Sequence, residues 1–169
     1  MTKRLGVIFD RALGMLIFVA GLLIAFLMLS ISIEVILRFI TGHSVFWWAV
    51  ETSEYILLYF TFLAAAWLLK REGHVKIDLI LNRLKPRVQG VINVINSILI
   101  ALISLILIWY GGEAVWEHFE LNLYAPFGLE VPKYIILLII PIGALFLFIQ
   151  SLRRIYVYVM ASKVIMKQE

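Results

Sequence analysis

Four charged residues stand at the edges of long apolar runs: Glu34, Arg38, Glu51 and Glu54. Placing a charge in hydrocarbon costs at least about 2.5–3.5 kcal/mol, so such residues are default candidates for function. Glu34 and Arg38 are four apart, share a helix face and can pair along it. The plainer reading is a boundary ion pair that snorkels to the headgroups. Glu51 and Glu54 open the next apolar run, where the positive end of a helix dipole favours carboxylates. They either complement that dipole or act as buried partners of Arg38 at a junction between two helices.

The remaining chemistry-bearing groups form no catalytic set. His43, His74 and His118 all lie outside the apolar runs, which argues against a transmembrane bis-histidine haem. Glu113, Glu117 and His118 cluster loosely, but the paired Glu-x-x-His motifs of di-iron bundles are missing, so they read as a solvated face. The absence of cysteine removes disulfides, thiolate nucleophiles and Cys-based metal sites. Neither a phosphate-binding glycine loop nor a nucleophile elbow nor a zincin motif occurs. No catalytic residue, metal ligand or cofactor is assigned, and the chain is read as a non-enzyme.

These residues must be positioned by membrane-spanning helices. The 169 residues are 63% hydrophobic and 15% charged, with mean hydropathy +1.01. Soluble domains sit near 45–50% apolar and 25% charged. The fold class expected is all-α membrane protein: four transmembrane helices plus interfacial amphipathic segments, in one domain over 1–169. Residues 12–33 carry no charge and, at about 1.5 Å per residue, cross a hydrocarbon core of roughly 30 Å. The run is too long for a signal h-region and reads as an uncleaved anchor. The spans are placed at about 12–37, 47–69, 88–110 and 133–153. Within the third, Asn93, Asn96 and Ser97 share a face from which polar side chains can bond across to a neighbouring helix. Within the fourth, Pro141 and Gly143 predict a kink. Residues 75–87 alternate apolar and charged groups in a helical pattern and read as a helix lying in the interface. Residues 111–133 read as an acidic, aromatic loop, and Trp47, Trp48, Trp116, Tyr124 and Tyr134 as belt anchors.

Thirteen Lys and Arg residues fall on one side of this arrangement and two, Arg38 and Lys133, on the other. The positive-inside rule then puts both termini in the cytoplasm. It also accounts for the net charge of +4, so nucleic acid is not expected as a partner.

The order Arg38, Trp48-x-x-Glu51, the small-residue stretch Thr61-Phe62-Leu63-Ala64-Ala65, then Lys70-Arg71-Glu72-Gly73-His74 and Asp78 resembles the small membrane subunit, DctQ-like, of tripartite ATP-independent periplasmic (TRAP) transporters. Two departures stand out: Val50 precedes Glu51 where the family often has adjacent acids, and Ala64 stands where glycine is usual. Glu54 is thus an acid displaced from the common pattern. The resemblance implies a three-part assembly in the bacterial inner membrane. A periplasmic substrate-binding protein captures an organic acid, a large membrane subunit moves it by a sodium-coupled elevator motion, and the small subunit braces the large one. On that footing Arg38, Trp48, Glu51, Glu54, Thr61, Ala64, Ala65, His74 and Asp78 are structural or interface residues. Sodium is expected in the large subunit, and phospholipids contact the small one. Rival readings are the anchor subunit of a respiratory complex and a small four-helix antiporter, for which Glu34 falls at the end of its span rather than its middle.

Overall fold

In hydrocarbon no water is available to backbone groups, so each apolar run must satisfy its amides internally, and helix is the solution open to a single segment. A computed structural model describes residues 2–45, 47–71, 86–125 and 131–165. It contains α1 (Thr2–Thr41), α2 (Trp47–Lys70), α3 (Pro86–Glu120), the single-turn α4 (Lys133–Leu137) and α5 (Ile139–Ile165). Four stretches are long and apolar enough to cross a membrane: Gly6–Thr41, Thr52–Lys70, Val88–Glu120 and Lys133–Met160. The expected all-α membrane fold with four spanning helices is the one found. Of the interfacial segment expected at 75–87, residues 75–85 lie outside the described residues, while Pro86 and Arg87 open α3. Proline suits a first helical position, where its missing N–H leaves nothing unsatisfied.

Helix ends follow local chemistry. α1 stops at Gly42, whose φ of 74° is left-handed, and the Gly42 amide donates to the Arg38 carbonyl at 3.0 Å. α3 does not stop at Tyr110. It runs through Gly111 and Gly112 to Glu120, so the first ten residues of the expected 111–133 loop are helix. Its end is a Schellman motif at Asn122, with φ 47°: the Leu123 amide donates to the His118 carbonyl at 3.2 Å and the Asn122 amide to Phe119 at 3.3 Å. The short loop that remains closes on itself, Ala125 donating to Val131 and Lys133 to Leu123, both at 2.9 Å.

The fourth span is interrupted, but at Leu138 rather than at Pro141 and Gly143. Proline has no N–H for the carbonyl four residues back and crowds it, so the break falls one turn earlier. Leu138 keeps right-handed backbone angles (φ −55°, ψ −28°), and the next hydrogen bond, Ile142 to Leu138, is stretched to 3.4 Å. α4 and α5 are therefore one proline-interrupted span.

Packing runs in an open, bent row: α1 lies on α2, α2 on α5, and α5 on α3. Among the described residues α3 packs extensively on neither α1 nor α2. Burial agrees with this order. Of the most apolar window in each span, 11% is buried in α1 and 17% in α3 at the flanks, against 22% in α2 and 33% in the fourth span. Close approach is achieved with small residues, as is usual between membrane helices. Ser97, Ala101, Ser104 and Gly111 of α3 are buried, as are Ala144 and Ser151 of α5. A Cβ on Gly143 would meet Phe62 Cβ at 2.7 Å and the Phe62 carbonyl oxygen at 2.9 Å, so α2 and α5 cross too closely there for a side chain. Gly143 is a contact residue, not a hinge. The polar face expected on α3 does not bond across either: Ser97 Oγ donates back to the Asn93 carbonyl of its own helix at 2.7 Å, and Asn96 is exposed. A buried serine here acts as a small residue whose hydroxyl is satisfied locally.

Candidate functional site

At the end of the bundle where α1 finishes and α2 begins, Glu34 is turned inward and is only 4% exposed. Ser44, from the loop between the helices, donates its hydroxyl to Glu34 Oε1 at 2.6 Å, a length typical of a hydroxyl–carboxylate bond. Thr41 Oγ donates to the Leu37 carbonyl at 2.8 Å, and His43 Nδ1 lies 3.0 Å from the Thr41 carbonyl, so the turn is held by its own polar groups. Arg38, one helical turn beyond Glu34, is exposed, as is Glu54, while Trp48 is half-buried. Glu34 and Ser44 thus form the inward polar contact of this junction. The backbone of Glu51 lies in the first turns of α2, but its side chain lies outside the described residues, as do His74 and Asp78.

Further along α2, Leu57, Thr61 and Leu68 are exposed and Ala64 and Ala65 half-buried. Thr61 satisfies its hydroxyl on the Leu57 carbonyl at 2.8 Å. These residues recur at helical spacing on a face turned away from Leu63 and Ala66, which are buried at 7% and 0%. A smooth, polar-neutral strip of α2 therefore faces outward from the row. Midway along the same helix Tyr59 reaches across to donate to the Ile135 carbonyl of α4 at 2.9 Å.

The opposite end is clamped by an acid that charge counting along the sequence passed over. Asp10 of α1 takes Arg153 Nη1 of α5 at 2.8 Å and Lys70 Nζ of α2 at 3.2 Å on the same Oδ1. The guanidinium of Arg153 also stands 5.3 Å over the Phe9 ring, and Phe9 stacks on Phe146 with centroids 5.8 Å apart. α1, α2 and α5 are thereby tied by one carboxylate. Its signal in the sequence is simple: Asp10 is the sole acid before Glu34 in a basic N-terminal stretch.

Near the C-terminal end of α3, His118 Nδ1 lies 2.7 Å from the Ala114 carbonyl, and Trp116 Nε1 donates to Glu120 at 3.0 Å. Phe119 meets Tyr134 edge-on at 5.3 Å. The imidazole and the Glu120 carboxylate are each engaged one turn away on their own helix. Among the described residues no group of three His, Cys, Asp or Glu side chains is placed to hold a metal ion. What the arrangement offers is two polar junctions, one at each end of the row, and long apolar faces between them: Phe18, Met28, Leu29, Trp109 and Tyr110 are each more than half exposed.

Residues 27–159 match the family model described as the DctQ component of tripartite ATP-independent periplasmic transporters. No curated protein matches the chain.

Proposed function

Since the chain belongs to the DctQ family, the small membrane component of TRAP transporters, we propose that it is the fixed scaffold against which a large membrane subunit moves. In this reading a periplasmic binding protein delivers an organic acid, sodium drives the large subunit, and the present chain holds position in the inner membrane with both termini cytoplasmic. The observation that carries the reading is the family match over four spanning helices. The packing is consistent with it. A row rather than a closed bundle leaves broad apolar faces, and contiguous exposed apolar surface marks a membrane or partner contact. Lipid or a membrane partner covers such faces equally well, and the outward strip of α2 at Thr61, Ala64 and Ala65 suits close helix contact. The exposed aromatics Trp116 near the end of α3, at 64%, and Tyr124 in the loop beyond it, at 59%, are in this reading the surface offered toward the periplasm.

Copurification in mild detergent tests the assignment. Thr61→Trp adds bulk to an exposed position whose hydroxyl bonds to the Leu57 carbonyl of its own helix, so the four-helix chain should still insert while recovery of the large subunit falls. Reconstituted alone, the chain should show no sodium-driven uptake of an organic acid; adding the large subunit and the binding protein should restore it. Uptake by this chain alone would overturn the scaffold reading.

A further inference from the structure

Beside the Asp10 clamp, where α2 finishes against the N-terminal part of α1 and the middle of α5, a half-open cleft of about 220 Å³ is cut into the row. Three cations line it, Lys70, Arg153 and Arg154, against one acid, Asp10. Asp10 engages the first two. Arg154 is different. It is 9% exposed, its Nη2 donates to Tyr158 at 3.3 Å with the guanidinium over that ring, and its Nε has no hydrogen-bond partner among the described residues. The neighbouring Gln150 is 8% exposed, and its Oε1 likewise lacks a partner among the described residues. A buried donor and a buried acceptor left open in one cleft require an explanation, because such atoms are nearly always satisfied.

The cleft's size and walls narrow the occupant. A water molecule's share of volume is about 30 Å³, so the space holds several waters or one group of headgroup size. One wall is apolar: Leu69 is fully buried, and Val157 is 61% exposed at the rim. The charges themselves mark the level at which hydrocarbon gives way to headgroups, since residues 134–152 carry none. The needed ligand combines an anion for the guanidinium, a hydrogen-bond donor for Gln150 and a chain that can leave along Val157.

We propose that this cleft binds the headgroup of an anionic phospholipid of the phosphatidylglycerol type, its phosphate on Arg154, its glycerol hydroxyl on Gln150 and an acyl chain along Val157. The site lies between three helices, as basic lipid pockets on membrane proteins commonly do, and it requires no large subunit, so it stands or falls separately from the scaffold assignment.

The test uses the full chain purified in detergent, read by native mass spectrometry and by thermal unfolding. Added phosphatidylglycerol should be retained as a bound adduct and raise the melting temperature, whereas phosphatidylcholine and sodium phosphate should do neither. Arg154→Gln should weaken phosphatidylglycerol binding roughly tenfold or more, the scale of one hydrogen bond to a charged group. Arg11→Gln, an exposed charge at the same end, should leave binding unchanged. If Arg154→Gln does not fold, Gln150→Leu, which alters no charge, should weaken binding several-fold. Equal binding by the wild type and the cleft variants, an equal loss on Arg11→Gln, or equal protection by inorganic phosphate would each overturn the proposal.

Discussion

Replacing Gly143 by alanine probes the α2–α5 crossing most sharply. The new Cβ would stand 2.7 Å from Phe62 Cβ, 2.9 Å from its carbonyl oxygen and 3.1 Å from its carbonyl carbon. Carbon atoms rest at about 3.5–4.0 Å, so the helices must part locally by roughly 0.5–1 Å. Two of the three atoms are backbone, and rotamer changes cannot remove them. Overpacking of this kind costs about 1–3 kcal/mol. Alanine also favours helix over glycine by about 0.5–1 kcal/mol, which masks part of the loss. Gly21→Ala in α1 supplies the correction, because nothing lies within 4 Å of a Cβ there. In thermal unfolding in detergent, Gly143→Ala should melt below Gly21→Ala by about 2–12 °C, at 2–4 °C per kcal/mol for a chain of this size. Phe62→Ala should not rescue it, since alanine keeps all three clashing atoms. Equal melting of the two glycine variants would refute the close approach, and rescue by Phe62→Ala would show that the clash lies with the ring instead.

The clamp at the other end predicts a smaller, salt-sensitive effect. Asp10 and its partners are about one-third exposed, so each ion pair contributes about 0.2–1 kcal/mol; Asp10→Asn should lower stability by about 0.4–2 kcal/mol, and the difference from wild type should shrink in high salt. At the outer junction, Arg38→Ala and Glu51→Ala should each destabilise, and the double variant should cost clearly less than the sum if the two pair; additive losses would show that they do not interact. Reporter fusions after Lys70 and at the C-terminus should read cytoplasmic, and one between Gly42 and Ser44 periplasmic; a periplasmic reading after Lys70 would invert the topology.

The spans were legible because a membrane helix is announced by composition alone, an apolar window of sufficient length. Which faces meet was not. All the long helices are apolar all round, so a lipid-facing and a packed residue look alike in sequence, and the pairing is written in small residues such as Ser104, Ala144 and Gly143 that propensity treats as unremarkable or unfavourable. The third span was expected to end at 110, just before Gly111 and Gly112. There the absence of a Cβ instead lets α3 approach α5, a Cβ on Gly111 meeting Ile140 Cγ2 at 3.0 Å and Pro141 Cδ at 3.3 Å. Of the site, the inward carboxylate Glu34 was recognisable as a charge at a span's end, but its partner Ser44 belongs to a loop whose conformation only the left-handed Gly42 decides. Asp10 was hidden by distance: its partners lie 60 and 143 residues away, and no local pattern encodes such a contact.

The contact order of the row also has a bearing on biosynthesis. α1 and α2 can pair as soon as both are inserted, and α3 follows, yet among the described residues α3 packs extensively on neither of them. Both of its routes into the structure pass through the last segment made. About 70 residues separate the end of α2 from the start of α5, which at 5–20 residues per second is roughly 3–14 s of translation. During that interval the nascent chain is a helical hairpin and a lone helix adrift in the same bilayer. Assembly awaits a final helix that slots between them, so a ribosome that stalls before Ile139 leaves two unjoined halves, whatever the quality of each.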